Sequence, residues 1–307
     1  MKPAPFEYEA PDSLPAALDL LARHGGEAKL LAGGQSLIPV MNFRLAQPAL
    51  LVDLNRLSEL DYVRRSAAGG LAIGAMTRQR RLERDPLVAA LAPLLHEAVP
   101  FIAHPQIRNR GTLGGSLAHA DPAAELPAVA VALAARLRLV RAGAERWVDA
   151  QDFFAGLFST ALEPDEILIE VELPPPPPRT GWAFLETARR HGDYAQAGVA
   201  ARVSLDAEGR CRAAGLTYLS LGGAPISARQ AAGALVGVAP SPAAFATAAE
   251  AAQGEIGPVD DVHASALFKR HLARVLTVRA LTLATARATA AEPAEPAEPG
   301  AAAEGAR

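Results

Sequence analysis

The sequence predicts an α+β protein built from three successive units, two before a run of five prolines and one after it. Before the prolines, apolar segments of strand length alternate with helical patterns, whereas three strand patterns and then helical ones follow them. The prolines, residues 174–178, form a stiff extended segment that marks a boundary. We therefore expect a domain over residues 1–177, with subdomains at about 1–57 and 58–177, and a carboxy-terminal domain over 178–289.

The composition favours a globular protein of a reducing compartment. With 30 basic and 33 acidic side chains and a sequence pI near 6.2, the chain has no strong field for nucleic acid or an anionic membrane. Cys211 is the single cysteine, which excludes an internal disulfide or an iron–sulfur cluster held by this chain alone and suits the cytoplasm. No apolar run approaches the roughly 20 residues of a membrane span. The seven histidines lack metal-binding spacing, so no metal site is predicted.

The first unit is predicted to alternate helices and strands. Its first helix is capped by Asp12 or Ser13 and ends at the glycines at 25 and 26, with one apolar face formed by Leu14, Leu18 and Leu21. A strand at 28–31, a short helix at 37–45 and a strand at 50–53 follow. This order predicts a small α/β unit.

The second unit is predicted to begin with a β-hairpin that joins residues 62–63 and 71–73 across Gly69 and Gly70. Thr77 can cap a basic helix. We interpret its arginines at 78, 80, 81 and 84 as a solvated face, with a contact to a partner subunit as the alternative. A loop at 107–116 and a helix from Pro122 follow, and the unit is completed by strands near 137–140, 146–148 and 167–173.

The third unit places its strands before its helices. Strands are predicted at 182–187, 197–205 and 211–219, with a turn at 206–209, and helices at 227–236, 242–253 and 263–289. The tail from residue 290 to 307 repeats Ala-Glu-Pro and has no large apolar residue, so we expect it to be disordered.

Two glycine-rich segments can cradle phosphate groups. The first, AGGQS at 32–36, lies between a strand and a helix, where amides, a helix amino terminus and a hydroxyl can face an anion. The second, GTLGGS at 111–116, repeats this chemistry. Neither has the spacing of GxGxxG or of a P-loop, and a double glycine is often only a turn. Together they can clamp a diphosphate along its length, so a dinucleotide site and a pair of turns are both open interpretations.

The polar and aromatic residues near the second loop also allow two interpretations. Asp121 and Glu125 stand at a helix start, where carboxylates favour the helix dipole and can also accept bonds from ribose or ribityl hydroxyls. His119 has no nucleophile or base beside it, which favours a structural role. Tyr194, on a glycine turn, is either a wet surface tyrosine or a ring lying against a planar cofactor.

Five segments, taken in order, make the sequence closely similar to the FAD-binding medium subunits of molybdenum hydroxylases, the family of aerobic carbon monoxide dehydrogenase and the flavin part of xanthine dehydrogenase. They are LAGGQSLIP at 31–39, IRNRGTLGGS at 107–116, ADP to ELP at 120–127, FF at 153–154 with LEPDEIL at 162–168, and ARRHGDYA at 188–195. The resemblance covers roughly residues 6–288. It implies a vanillyl-alcohol-oxidase (PCMH) type FAD-binding domain of two subdomains, followed by a carboxy-terminal α+β domain of the carbon monoxide dehydrogenase flavoprotein type.

The resemblance also implies which residues contact FAD. The two diphosphate loops and their flanks are matched by Ala32, Gly33, Gly34, Gln35, Ser36, Leu37, Asn109, Thr112, Gly114, Gly115 and Ser116. Acidic contacts are matched by Asp121 and Glu125, apolar positions near the flavin by Ile102 and Leu168, and a ring near the isoalloxazine by Tyr194. Two departures matter. Glu186 stands where some relatives have a lysine, and Ser159 replaces a basic residue of the xanthine dehydrogenase branch, which weakens an NAD assignment.

The function implied by the resemblance is electron transfer rather than catalysis by side chains of this chain. A large molybdopterin subunit would hydroxylate the substrate, a small subunit with [2Fe-2S] clusters would relay electrons, and the FAD of this chain would pass them to an acceptor. The family expectation is a heterohexamer in the cytoplasm. One alternative is a free-standing flavin-dependent reductase or oxidase of the same fold. Another is a scaffold subunit without FAD, against which the two intact glycine loops argue.

Overall fold

The computed structural model describes residues 1–291, and its first unit is built on a parallel sheet. β1 (Glu7–Glu9) and β2 (Ala28–Leu31) both pair with β3 (Leu50–Asp53), which lies in the centre. Helix α1 (Leu14–His24) connects β1 to β2, and α2 (Leu37–Asn42) connects β2 to β3. Because the carboxyl ends of parallel strands meet at one edge, the loop after β2 and the residues after β3 lie side by side.

The second unit is built on an antiparallel five-stranded sheet. The five strands are β4 (Val63–Arg65), β5 (Leu71–Gly74), β6 (Arg136–Arg141), β7 (Ala144–Asp149) and β10 (Ile167–Leu173). A separate two-stranded sheet is formed by β8 (Phe154–Gly156) and β9 (Ser159–Thr160). The order in the larger sheet is β4-β5-β10-β6-β7. Its helices are α3 (Gln79–Leu82), α4 (Pro86–Leu91), α5 (Pro93–Ala98), α6 (Pro105–Arg108), α7 (Leu113–His119), α8 (Glu125–Ala132) and α9 (Ala150–Phe153).

Strand β10 joins the cores of the first two units. Side chains alternate between the faces of a strand. Ile167 and Ile169 accordingly pack with the core of the first unit and Leu168 with that of the second. A register shift between Leu168 and Glu170 interrupts the alternation, so Val171 also packs with the core of the second unit. The first unit therefore completes its core with a strand that follows it by more than one hundred residues.

The third unit is an antiparallel sheet covered by helices on both faces. Its elements are β11 (Thr180–Thr187), β12 (Ala197–Leu205), β13 (Cys211–Leu219), β14 (Ile226–Ser227), α10 (Arg229–Gly233), α11 (Pro242–Ala252) and α12 (Ala266–Ala290). Helix α12 packs on β11 and β12, while α5 and α8 of the second unit pack on the sheet. Val199 and Ala201 accordingly belong to the core of the third unit, whereas Ala200 belongs to that of the second. This sharing explains why β12 is almost wholly buried.

A polar junction ties the third unit to the second. The Arg287 guanidinium on α12 bonds the Glu97 carboxylate on α5 and donates to the Trp182 carbonyl over 2.7 Å. In a second contact between the two units, the Ser220 amide donates to the Pro122 carbonyl over 2.8 Å. This second contact holds the segment that leads into α8 against the sheet of the third unit.

Several local predictions were wrong, each for a physical reason. Thr77 does not cap the basic helix, because its hydroxyl donates to the Tyr62 carbonyl over 2.9 Å and Arg78 is the N-cap residue of α3. The helix predicted at 37–45 ends at Asn42, since Arg44 has a φ of 58°, outside the helical region. The loop predicted at 107–116 contains the end of α6 and the start of α7. The helix expected from Pro122 begins at Glu125.

The predicted disordered tail lies outside the described residues, apart from its first two positions. Ala290 is the last residue of α12 and Ala291 is its C-cap. The predicted tail therefore begins within the end of the helix.

Candidate functional site

The first glycine loop, residues 32–36, presents unpaired backbone donors. Within the described chain, the amides of Gly33, Gly34, Gln35 and Ser36 donate to no protein acceptor. Gly34 has a φ of 74°, which only glycine adopts at little cost, and the Gln35 side-chain amide holds the turn by donating to the Gly33 carbonyl over 2.9 Å. Because orphaned amides need an acceptor, this loop is suited to an anion.

The second glycine loop, residues 111–116, uses its amides differently. The Gly114 amide donates to the Ala75 carbonyl over 2.8 Å, and the Gly115 amide donates to the Thr112 hydroxyl over 3.0 Å, which caps α7. The Leu113 amide donates to the Thr77 carbonyl. The sequence predicted that both loops offer bare glycine amides, but in this loop the glycine amides are already bonded. Thr112 alone among residues 111–116 has an amide with no protein acceptor.

The glycines of the two loops allow the loops to touch. A Cβ atom on Gly33 would lie 2.7 Å from the Gly111 Cα and 2.9 Å from the Arg110 carbonyl carbon. A Cβ on Gly115 would lie 3.3 Å from that of Ala32. The structure therefore brings the two predicted diphosphate loops into direct contact, with Ser36 and Ser116 at their ends. The hydroxyls of these two serines have no partner in the described part of the protein.

The carboxylates form a second cluster. Glu125, the first residue of α8, is only 8% exposed, and burial together with the charge of Asp121 raises its pKa to about 7. Glu186 on β11 has a buried Oε2 atom with no hydrogen-bond partner, and burial followed by the charge of Glu125 raises its pKa to about 8. A protonated carboxyl can donate a hydrogen bond. Glu186 thus offers a neutral donor near pH 7, where a lysine would offer a charged one.

The predicted cofactor residues outside the loops occupy different surroundings. The Tyr194 ring is 60% exposed, yet burial and the charges of Asp121 and Glu125 raise the pKa of its hydroxyl, which puts it beside the carboxylate cluster. Asn109 is exposed in the turn after α6. The Asp121 carboxylate caps a turn by accepting from the Ala123 amide over 2.9 Å.

The two apolar positions and His119 lie deeper. Ile102 and Leu168 are 8% and 5% exposed and belong to the core of the second unit. The His119 ring packs against the Phe158 ring with centroids 5.1 Å apart. Burial lowers the pKa of His119, so the ring is neutral at pH 7. This agrees with the structural role that the sequence favoured.

Sequence reasoning missed two polar residues beside the loops, Asn55 and Arg78. Arg78 was assigned to a solvated helix face, but its guanidinium is turned toward Asn55 and the Arg110 carbonyl. The interpretation holds for Arg81 and Arg84, which are exposed, whereas Arg80 is half-buried and pairs with half-buried Glu83. A signal for Asn55 was present, since it follows a strand whose carboxyl end meets that of β2. The position of Arg78 depends on a long-range contact with Thr112 that no local pattern contains.

The described residues also bear on whether the chain has a metal-binding cluster or a membrane-spanning helix. Within residues 1–291, no cluster of three or more His, Cys, Asp or Glu side chains is arranged to hold a metal ion. No helix in that range is both long and apolar enough to span a bilayer. The donor set instead fits a diphosphate-containing cofactor, with free amides and hydroxyls at two touching loops.

Comparison with known proteins gives a consistent result. Residues 4–176 match the family described as the FAD binding domain in molybdopterin dehydrogenase, and residues 182–284 match the CO dehydrogenase flavoprotein C-terminal domain. The chain is 44% identical to the 6-hydroxypseudooxynicotine dehydrogenase complex subunit alpha of Paenarthrobacter nicotinovorans, covering 94% of this chain and 97% of the relative. It is 41% identical to the carbon monoxide dehydrogenase medium chain of Hydrogenophaga pseudoflava, covering 94% and 99%. A solved structure of carbon monoxide dehydrogenase from that organism superposes with a TM-score of 0.91 at 40% identity, with the same two coverages.

Proposed function

Because the chain belongs to the family of FAD-binding medium subunits of molybdenum hydroxylases, we propose that it carries electrons through FAD from iron–sulfur clusters on a partner subunit to an acceptor. The chain is an oxidoreductase subunit with the FAD-binding fold and the carbon monoxide dehydrogenase flavoprotein fold of this family. Our proposal concerns the donor and the acceptor of the electrons and the residues that hold the cofactor.

The observation that carries this proposal is the contact between the two glycine loops. Free amides of Gly33, Gly34, Gln35 and Ser36 can bond phosphate oxygens, and the touching second loop can hold the other half of a diphosphate through the Thr112 amide and the Ser116 hydroxyl. A diphosphate has two phosphoryl groups, and each of the two touching loops can hold one of them.

We propose that the residues predicted from the sequence hold FAD in this way. Asp121 and Glu125 accept bonds from ribityl or ribose hydroxyls, and the Tyr194 ring packs on the isoalloxazine. The neutral Glu186 carboxyl donates to a polar edge of the ring. When bound, FAD supplies a carrier that accepts and releases electrons. The remaining proposed contacts are Ala32, Leu37, Ile102, Asn109, Gly114, Gly115 and Leu168.

The side chains of this subunit then act by position and polarity. None of them needs to be a nucleophile or a general base, because the protein binds and orients the cofactor and sets the polarity around it. We propose that the Tyr194 ring covers one side of the bound flavin, while the raised pKa values of buried Glu125 and half-buried Glu186 favour protonated carboxyls beside it.

We propose further that the chain works in the cytoplasm as part of a heterohexamer, two copies each of this subunit, a large molybdopterin subunit and a small iron–sulfur subunit. The lone cysteine supports this, since the clusters have to come from another chain. The proposed domains are residues 1–177, divided at about residue 57, and 178–289. One core cluster lies wholly after the proline run, between Ala183 and Ala288, and supports that division.

Purification of the native complex tests the proposal. The complex is isolated from its source, its visible spectrum is recorded, and its cofactors and chains are identified by mass spectrometry. FAD with a molybdopterin chain and an iron–sulfur chain is the expected result. A yellow monomer that alone oxidises NADPH with a substrate would contradict it in favour of a free-standing flavoenzyme. A colourless complex would contradict the binding of FAD.

A further inference from the structure

Two polar side chains join the glycine loops. The Asn55 side-chain amide donates to the Ala32 carbonyl at the start of the first loop over 2.9 Å. The Arg78 Nη2 donates to the Asn55 Oδ1 over 2.6 Å, and the Arg78 Nη1 donates to the Arg110 carbonyl just before the second loop. A continuous chain of hydrogen bonds therefore runs from one loop to the other through Asn55 and Arg78.

Backbone structure determines where both residues lie. Asn55 follows β3, and its amide donates to the Asp53 carboxylate over 2.8 Å, which holds it beside the end of β2. Arg78 lies opposite Thr112 in an antiparallel bridge. The Gln79 amide donates to the Gly111 carbonyl over 2.9 Å and secures that register. Both side chains thus reach the loops from ordered backbone.

The guanidinium of Arg78 forms no close ion pair within the described part of the chain. Its neighbours Arg80 and Arg81 pair with carboxylates of Glu83 and Asp61 over 2.6 and 2.9 Å, but no carboxylate within residues 1–291 lies at salt-bridge distance from Arg78. Burial, followed by the charge of Arg110, lowers the pKa of Arg78, while the more distant charges of Asp61 and Asp53 act in the opposite direction. A half-buried cation with no carboxylate at close range is stabilised when an anion approaches it.

We propose that Arg78 is a positioning residue for the cofactor diphosphate. Its hydrogen bonds hold the two loops at the separation that the diphosphate needs, and its positive charge faces the diphosphate. The proposal rests on the proposed function, since it assumes that FAD binds between these loops. It adds one specific requirement. The affinity for the diphosphate part of the ligand depends on the guanidinium of a residue that lies outside both glycine loops.

The two proposed roles of Arg78, its positive charge and its hydrogen bonds between the loops, lead to different predictions. A cation near a phosphate gives binding that weakens with ionic strength, because salt screens the attraction. A tie needs two donors in a fixed plane, which arginine has and lysine lacks. Lysine at this position should therefore keep the salt dependence while losing part of the affinity, and glutamine should lose both.

Titrations of the deflavinated complex with FAD test this, using the wild type, Arg78→Lys and Arg78→Gln at two or more salt concentrations. Arg84→Gln is the matched control, since Arg84 is an exposed arginine of the same segment with no ion pair among the described residues. ADP and riboflavin serve as probes that contain or lack the diphosphate. We expect Arg78→Gln to raise the Kd of FAD and ADP at least about tenfold, to leave riboflavin unchanged and to flatten the salt dependence.

The outcomes are distinct. Arg78→Gln that binds FAD and ADP like the wild type overturns the role of Arg78 and leaves the proposed function intact. If Arg78→Gln weakens FAD binding without changing its salt dependence, or weakens riboflavin binding equally, the proposed electrostatic role is wrong. Arg78 would then have only a structural role in the fold. A wild-type complex that binds no FAD overturns the proposed function itself. If Arg78→Gln does not fold, Arg78→Lys decides, because unchanged FAD affinity in that variant contradicts the tie.

Discussion

A methyl group at Gly33 tests the contact between the two glycine loops. The Cβ of Gly33→Ala would lie 2.7 Å from the Gly111 Cα and closer still to the Arg110 carbonyl oxygen. Both neighbours are backbone atoms, so no change of rotamer relieves the overlap, and ordinary van der Waals contact begins at 3.4 Å. The loops must therefore separate by about 0.7 Å or more, the difference between these two distances.

A displacement of that size breaks hydrogen bonds. An N–H···O bond of about 2.9 Å stretched to about 3.6 Å is no longer a hydrogen bond. A bond to a charged acceptor contributes about 1.5–3 kcal/mol. Since about 1.4 kcal/mol is a factor of ten in Kd, the loss of one bond to a phosphate oxygen raises the Kd of FAD at least about tenfold. The overlap itself lowers the free energy of unfolding by about 1–3 kcal/mol.

The assay is fluorescence titration of the deflavinated complex with FAD, together with the thermal unfolding of the complex without FAD. Gly26→Ala is the matched control, because a Cβ there meets nothing within 4 Å and the residue is exposed. The control should bind FAD like the wild type. If folded Gly33→Ala retains wild-type affinity, the two loops do not clamp the cofactor together and the reasoning is wrong.

Two further predictions concern the same region. In the folded protein Glu186 keeps its proton up to about pH 8, whereas in the unfolded chain it loses the proton near its ordinary pKa. The folded state therefore binds more protons between about pH 5 and 8, and the free energy of unfolding of the wild type falls across this range by at most about 1.4 kcal/mol per pH unit. Denaturant unfolding of Glu186→Gln should therefore show a stability gain over the wild type that grows across this range, and a pH-independent difference would contradict the buried protonated state. Thr112→Val removes the acceptor of the Gly115 amide, and calorimetry should show a loss of about 1 kcal/mol that Thr112→Ser restores; unchanged stability of Thr112→Val would contradict the cap.

The elements that sequence predicted well have local signals. The bounds predicted for β12 and β13 match those observed, because each strand is a long, mostly apolar segment and the turn at 206–209 separates them. β1 was missed, since it has three exposed residues and exists only through pairing with β3, more than forty residues later. The short helices α4 and α5 were missed because each has only six residues and begins at a proline. Local periodicity does not resolve elements of that length.

The candidate site shows the same limit at the level of single atoms. The segments AGGQS and GTLGGS have similar sequences and predict similar anion-binding loops. In the described structure, however, the backbone amides of the first glycine pair are free, whereas those of the second pair donate to Ala75 and Thr112. The difference arises from tertiary register, because the second loop pairs with the segment before α3. Its glycines are required for close approach, since a Cβ on Gly114 would lie 2.9 Å from the Ala75 carbonyl oxygen. We therefore propose that part of the anion-binding capacity of the second loop comes from a side chain outside the motif, the guanidinium of Arg78.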